Sequence, residues 1–369
     1  MSIKVLSIGS DRKLFKEGSA VSQRIREYGS LVEELHIVVF ALKSLGLKEI
    51  QLAPNVWVHP TNSISRWFYV HDATRLGRKI IYDKQFVRGK SLITTQDPFE
   101  SGLVGLRIKK VWRLPLEVQL HTDPFSPYFK SLLNNIRKLI AKRVLRNANS
   151  VRVVTENIAI KLRAFTPANI QVLPIYVDRG HMGESQATFD LHDRYPWQFI
   201  LLAVSRLESE KNLALTLEIL ARVRNKFPKV GLVIVGSGSE ENNLRRLAKK
   251  LLIEDCVAFV GWQDDLVSFY KTANVFIQTS LFEGYGLALV EAGLFGLPVI
   301  TTPVGIALEL VHGKDAYIYP TGNPELFVSG ITELISNNQK REDLRMNIKN
   351  TLEKKLISKE KYLETLKSG

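Results

Sequence analysis

The sequence predicts an α/β protein built as two doubly wound parallel-sheet domains facing each other across a cleft. Three observations carry this expectation. Short β-branched runs alternate with helical patterns along most of the chain, as in parallel strands joined by crossover helices. The alternation stops over residues 178–197, where Gly, His, Asp, Ser and Pro mix without periodicity, as in a linker. A chain of 369 residues with 45% apolar content is also large enough to bury two cores.

In the first half, strands are expected at residues 4–8, 36–40, 91–94, 116–121, 151–154 and 170–173, each a short apolar or β-branched run. Helices fill the intervals. The clearest covers residues 128–148, where Phe129, Leu132, Leu133, Ile136, Ile140 and Val144 recur at helical spacing. A second series of strands begins at residues 199–204 and continues at 231–235, 256–260, 275–278 and 298–301. From residue 323 onward the chain is polar and helical, and no fixed-period repeat points to a solenoid. The expected divisions are an N-terminal α/β domain at 1–178, a linker at 179–197, a C-terminal α/β domain at 198–350, and a helical tail at 351–369 that packs back on the N-terminal domain.

Charge is unevenly spread. The chain carries 51 Lys and Arg against 37 Asp and Glu, a net of +14. Residues 1–180 hold 29 of the basic and 14 of the acidic residues, so the whole excess lies in the first half. Such a half suits a polyanionic partner: a phospholipid surface, an anionic acceptor or nucleic acid. Nucleic acid is disfavoured, because zinc spacing, RNA-binding aromatic motifs and a low-complexity basic tail are all missing from the sequence. Residues 75–146 contain 16 basic and 5 acidic residues with Trp112, Phe125, Tyr128 and Phe129 among them, a candidate face for an anionic membrane surface or a lipid-linked acceptor. A core-packed helix with a wet basic face accounts for residues 128–148 equally well. The single cysteine, Cys256, allows no internal disulfide and fits a reducing compartment. No segment approaches about 18 uninterrupted apolar residues, and residues 1–8 read as a strand instead of a signal peptide. The expected location is cytoplasmic, with peripheral attachment to the inner face of the membrane.

Ligands of doubly wound sheets bind beyond the carboxyl ends of the strands, so chemistry is sought there. The strand at 199–204 runs into Ser205 and Arg206, with Lys211 five positions later and a helix after Asn212. Two cations beside a helix N-terminus suit a diphosphate. The strand at 231–235 leads into Gly236-Ser237-Gly238, but Glu241 stands where a dinucleotide fingerprint needs its third glycine. This is therefore a tight strand-to-helix turn near the ligand and gives little support to an oxidoreductase. The strongest signal spans Ser280 to Ala292. Gly284 and Gly286 let the backbone approach a ligand closely before a helix begins. Glu283 stands at that helix start, and Glu291 lies about two turns along on a similar side. In the first half, the strand at 118–120 ends in His121, and Asp97 follows the strand at 93–95 as a weaker candidate. No group of His, Cys or carboxylates has metal-ligand spacing, and Asp264-Asp265 reads as a helix start.

Arg206-x4-Lys211 followed by Glu283-x7-Glu291 resembles the paired signature of the family-four retaining glycosyltransferases of the GT-B fold, the glycosyl transferases of group one. The likeness covers most of residues 199–320 and, more loosely, the first half. It implies that Arg206 and Lys211 hold the donor diphosphate, that Glu283 contacts the transferred sugar and that Glu291 contacts the ribose. It further implies that Ser205 and the loop amides of Gly284, Tyr285, Gly286 and Leu287 line the donor site. The strand end at Val260-Gly261-Trp262 would meet the base, and His121 the sugar and reacting center. Two departures stand out. The glycine pair that usually follows the first strand is missing: Gly9 precedes Ser10-Asp11-Arg12-Lys13, and Gly18 comes only later. A later glycine pair appears as Gly305-Ile306, upstream of Glu309.

The resemblance implies a metal-independent, retaining hexosyltransferase acting in polysaccharide biosynthesis. It would move a sugar from a nucleotide diphosphate sugar to a glycan or lipid-linked acceptor, with no cofactor besides that donor substrate. Arg206, Lys211 and the helix after Glu283 would stabilise charge growing on the leaving diphosphate. Two other classes remain open on the sequence: a phosphorylase or epimerase of the same fold, and a non-enzymatic basic binding protein.

Overall fold

The computed structural model describes residues 3–126, 132–177 and 185–368. The chain forms two compact units, Met1–Pro174 with Ser358–Gly369, and Ile175–Ile357.

The N-terminal unit carries an eight-stranded sheet ordered β3-β4-β2-β1-β5-β6-β7-β8. Its strands are β1 (Lys4–Gly9), β2 (Glu34–Val39), β3 (Ile50–Ala53), β4 (Val56–Pro60), β5 (Ser91–Thr95), β6 (Leu116–Leu120), β7 (Ser150–Val153) and β8 (Asn169–Val172). All pair in parallel except β3, which runs antiparallel to β4. Helices α1 (Ala20–Gly29), α2 (Tyr69–Asp83), α3 (Glu100–Trp112), α4 (Leu132–Asn147) and α5 (Glu156–Arg163) make the connections. Helices cover both faces, so central strands bury successive residues, as β1 does with Val5, Leu6, Ser7 and Ile8. The expected strands are present to within two residues, while β3 and β4 were not anticipated. They are short and flank Pro54-Asn55, which reads as a turn. Of the helix expected at 128–148, residues 128–131 lie outside the described residues.

The C-terminal unit carries a six-stranded parallel sheet ordered β11-β10-β9-β12-β13-β14. These are β9 (Phe199–Val204), β10 (Val230–Val235), β11 (Val257–Gly261), β12 (Val275–Gln278), β13 (Val299–Thr301) and β14 (Tyr317–Ile318). Its helices are α6 (Leu191–Arg194), α7 (Leu213–Arg224), α8 (Glu241–Lys250), α9 (Val267–Thr272), α10 (Leu287–Leu294), α11 (Pro324–Ser336) and α12 (Asn338–Lys355). A last helix, α13 (Lys359–Ser368), is grouped with the N-terminal unit.

Two boundaries differ from the sequence reading. Residues 179–184 of the expected linker lie outside the described residues, but 190–197 pack on the C-terminal unit. Leu191 is fully buried, and Trp197 stacks on Tyr195 with ring centroids 4.5 Å apart. The Trp197 ring fills the space above Gly231, where a Cβ would come within 1.8 Å of it. The tail also starts later than residue 351. Residues 351–355 complete α12, whose Leu344, Ile348 and Leu352 are buried. Gly293 of α10 leaves the space that Leu352 occupies, since a Cβ there would lie 2.4 Å from it. Beyond residue 358, the Tyr362 hydroxyl is 2.9 Å from that of Tyr28, and Lys359 pairs with Glu27 at 3.0 Å.

Gly231→Ala is expected to destabilise the C-terminal unit by about 1–3 kcal/mol, because Trp197 must leave its seat. Denaturant unfolding checks this, and an unchanged midpoint would contradict the packing described.

Candidate functional site

The C-terminal sheet has one switch point. From β9 the chain moves outward through β10 to β11 and then returns to β12 on the other side of β9. Connections after β9 and β12 therefore depart in opposite directions, and a crevice opens between them at the strands' carboxyl ends. The loop after β9 holds Ser205, Arg206 and Lys211, and the loop after β12 holds Glu283 to Gly286. These are the segments that the sequence singled out.

The two loops are joined by an ion pair. Lys211 Nζ donates to both Glu283 oxygens, at 2.8 and 2.9 Å. The Ser280 hydroxyl donates to Glu283 Oε1 at 2.7 Å. Both charged side chains are nearly buried, at 13% and 12% exposure, so their pairing offsets a substantial desolvation cost. Backbone contacts reinforce the junction. The Leu281 N–H donates to the Glu210 carbonyl at 2.8 Å, and Thr279 Oγ1 donates to the Asn212 carbonyl at 2.9 Å. Below them, Thr302 Oγ1 donates to the Ser280 carbonyl at 2.6 Å. Asn212 takes a left-handed conformation, φ 50°, which turns the chain into α7 directly after Lys211. Arg206 is mostly exposed and pairs with Glu210 at 2.9 Å. Ser205 Oγ is buried without a hydrogen-bond partner, an unspent polar group beside the cations.

The Gly236-Ser237-Gly238 turn supports this loop. A Cβ on Gly236 would lie 1.9 Å from the Ser205 carbonyl oxygen, and one on Gly238 2.3 Å from that of Leu207. The Leu207 N–H donates to the Ser237 carbonyl at 3.0 Å, and Glu208 accepts from the Ser239 hydroxyl at 2.8 Å. The glycines thus let one loop lie backbone-to-backbone on the Arg206 loop. The Gly236 N–H donates to the Gly261 carbonyl at 2.8 Å, drawing the end of β11 to the same edge.

Gly305 does the same for the second loop. A Cβ there would lie 2.4 Å from the Tyr285 carbonyl, which accepts from the Ile306 N–H at 2.7 Å. The segment is thereby shaped to open α10 at Gly286, whose φ is +91°. Tyr285 is buried, and burial together with Glu309 pushes its pKa up. Leu289 N–H donates to the Gly286 carbonyl at 3.0 Å, and the amides at the start of α10, at the exposed Leu287 and at Ala288, face the helix opening and suit an anion. On α10 itself, Glu291 Oε2 accepts from the Tyr270 hydroxyl at 2.9 Å. Burial raises the Glu291 pKa, and the Tyr270 bond partly offsets this. Asp265, read as a helix start, accepts from the Val267 N–H at 2.9 Å and opens α9.

His121 follows β6 in the N-terminal unit, at the carboxyl edge of that sheet. Its ring reaches solvent, yet surrounding protein strips part of its hydration, and Arg152 and Arg24 add positive charge, so its pKa lies below the ordinary histidine value. Asp123 holds the turn by accepting from the Phe125 N–H at 2.8 Å and pairing with Lys161 at 2.9 Å. Asp97 is occupied in opening α3, accepting from the Phe99 N–H at 2.7 Å, and burial raises its pKa. Gly9 ends β1 against Gln96, with 2.2 Å between a Cβ and that side chain, whereas Gly18 has φ +71° and open space around it. Sequence reasoning passed over Tyr270, Thr279 and Thr302, and it gave Ser280, which opens the strongest segment, no role of its own. Of the first three, only Thr302, beside Thr301 at a strand end, carried any signal.

Residues 187–351 match the family described as Glycosyl transferases group 1. An uncharacterized glycosyltransferase of Haemophilus influenzae is 34% identical over 139 residues, 37% of this chain and 39% of that protein. The alpha-monoglucosyldiacylglycerol synthase of Acholeplasma laidlawii is 25% identical over 335 residues, 84% of this chain and 81% of its own. Among solved structures, Anabaena Alr3699/HepE in complex with UDP-glucose superposes with a TM-score of 0.75 at 20% identity, with all of both chains covered. That likeness shows the fold, the GT-B class expected from the sequence. Matches to the first curated relatives cover 39% to 51% of those proteins' length.

Lys211→Met is expected to cost about 3–5 kcal/mol by leaving Glu283 buried and unpaired. Lys211→Met with Glu283→Gln is expected to recover most of that loss. Chemical denaturation of both variants checks this, and a double variant as unstable as the single one would contradict it.

Proposed function

We propose that this chain, whose residues 187–351 match the glycosyl transferases group 1 family, moves a sugar from a nucleotide diphosphate sugar to a glycan or lipid-linked acceptor with retention of anomeric configuration. The observation that carries this reading is the Lys211–Glu283 pair at the switch point, with Arg206 and the α10 N-terminus on the same two loops. An anion-binding helix start and two cations suit a diphosphate, and a carboxylate bonded to one of those cations suits the hydroxyls of an attached sugar.

When the bond between anomeric carbon and diphosphate breaks, negative charge grows on the leaving phosphate. Lys211, Arg206 and the amides of Gly284, Tyr285, Gly286 and Leu287 stabilise it, an electrostatic contribution of about 3–4 kcal/mol per well-placed donor. These fixed charges take the part that a divalent ion plays in other transferases. Glu283, restrained by Lys211 and Ser280, bonds the transferred sugar. Glu291, with one oxygen committed to Tyr270, offers the other to the ribose. The Ser205 hydroxyl and the strand end at Gly261 complete the donor site. His121, as a neutral imidazole, is the further group that we assign to the transferred sugar. The incoming hydroxyl attacks from the face that the diphosphate leaves, and the departing phosphate takes its proton. The UDP-glucose held by Alr3699/HepE and the lipid product named for the Acholeplasma laidlawii relative support a nucleotide-sugar donor and a lipid-linked acceptor. Such work is done at the cytoplasmic face of a membrane.

A panel of UDP-, GDP-, ADP- and TDP-sugars is expected to contain one donor that raises Tm by several degrees, since about 2.7 kcal/mol is gained at a hundredfold excess over Kd. A flat panel overturns the reading. Glu283→Ala should lower kcat by about two to three orders of magnitude while nucleotide affinity changes little. Equal losses of both would mean that Glu283 grips the nucleotide instead. Activity should hold above the His121 pKa and fall as pH drops through it, placing the acid limb of kcat/KM below about 6.5. That limb should vanish in His121→Ala, and a limb unchanged in the variant would remove His121 from the site.

A further inference from the structure

We infer that a rigid apolar tip formed by Ile64, Trp67 and Phe68 inserts into an anionic phospholipid surface and holds the N-terminal unit against it. Trp67 is 91% exposed, Ile64 85% and Phe68 52%, and Leu45, on the loop after β2, is 46% exposed. An isolated exposed leucine is ordinary, but three large apolar side chains exposed within five residues are of the kind that marks an interaction site.

The backbone beneath the tip is firmly held. Ser63 N–H donates to the Ala41 carbonyl and Lys43 N–H to the Ser63 carbonyl, both at 2.9 Å. Thr61 Oγ1 bonds the backbone N–H and carbonyl of Ala41, both at 3.0 Å. Immediately after the tip, Tyr69 stacks on Phe40 with centroids 5.3 Å apart and planes 5° from parallel. The short helical turn Arg66–Phe68 runs straight into α2. The fold therefore presents these side chains to solvent on an anchored loop.

Charge decides the occupant. The strands β4, β2 and β1 are adjacent and parallel, so the segments that follow them, 61–68, 40–49 and 10–19, share one edge. Those segments carry six cations, Arg12, Lys13, Lys16, Lys43, Lys48 and Arg66, against three carboxylates, Asp11, Glu17 and Glu49. Glu49 is bonded to His59 at 2.7 Å. Residues 61–71 contain no carboxylate to complement a sugar, and their apolar groups include the aliphatic Ile64. An amphipathic indole above a cationic rim matches the headgroup zone of an anionic bilayer. No described helix is long and apolar enough to cross a membrane, so attachment by this tip is superficial. The aromatic residues of the face expected at 75–146 contribute less: Phe125 packs on Phe165 at 4.8 Å, and Tyr128 and Phe129 lie outside the described residues. His121 stands on the same carboxyl edge as the tip. Resting on the lipid-linked acceptor proposed above, the tip would let that acceptor reach the His121 edge without leaving the bilayer.

The test is co-sedimentation of the full chain with vesicles of equal phosphatidylglycerol and phosphatidylcholine, and with phosphatidylcholine alone, at about 50 and 500 mM salt. The chain should bind the anionic vesicles at low salt and pure phosphatidylcholine weakly. Ile64→Ser with Trp67→Ser should lower binding at least about tenfold with Tm unchanged, since both side chains are exposed. Failure of the full chain to bind, or equal binding by the variant, overturns the inference. Loss instead in Leu133→Ser with Ile136→Ser, which are exposed on α4, moves the contact to that helix and also overturns it. Donor-induced Tm shifts measured without vesicles separate the two readings: donor response without vesicle binding overturns the tip alone, and vesicle binding without donor response overturns the transferase alone.

Discussion

The C-terminal site depends on the ion pair between Lys211 and Glu283, which ties two loops that are 72 residues apart in the chain. Each partner leaves the end of a different strand, and only their mutual bonding makes it tolerable for either charge to lie nearly buried. Ser280, Thr279 and Thr302 satisfy the remaining carboxylate and backbone acceptors around the pair, so little polar capacity at the junction is left unmet. A charge so held cannot relax easily. It stands ready for a polarised substrate, with little reorganisation at the moment of reaction.

Around this pair, glycines serve as spacers. Gly236 and Gly238 let a turn press on the Arg206 loop, and Gly305 lets another press on the loop of Glu283. Each close approach is backbone against backbone, where any side chain would wedge the loops apart. Gly305 fits a structural part at this site even though its neighbour Ile306 replaces a second glycine. The Gly236-Ser237-Gly238 motif, which alone hinted at a dinucleotide, is accounted for by packing.

The N-terminal unit has a different character. Its sheet is also wound with helices, and among the described residues its carboxyl edge carries cations, an exposed aromatic tip and His121. Here His121 stands with its pKa held down by partial burial and neighbouring arginines, and is neutral at physiological pH. A neutral imidazole can accept or donate a hydrogen bond to a sugar hydroxyl without repelling a cationic reacting center.

The alternation of strands and helices, the strand ends that bear Arg206, Lys211, Glu283 and Glu291, and the concentration of basic residues in the first half were all legible in the order of the residues. They are local, because periodicity and strand ends are set by neighbours within a few positions. What needed the tertiary structure is long-range. Lys211 meets Glu283 because the strand order brings β12 beside β9, and Tyr270 meets Glu291 because the helices on either side of β12 fold back on each other. Residues 190–197 join the C-terminal unit because Trp197 finds a glycine across the chain at Gly231. Ile64, Trp67 and Phe68 have the composition of core residues, and their exposure follows from the way Ala41 and Ser63 are stitched beneath them. The sequence by itself determined which residues carry charge and chemistry and at which strand ends they emerge. Folding decided which of them meet and which face water, since contacts between distant segments depend on strand order and on the space that small residues leave.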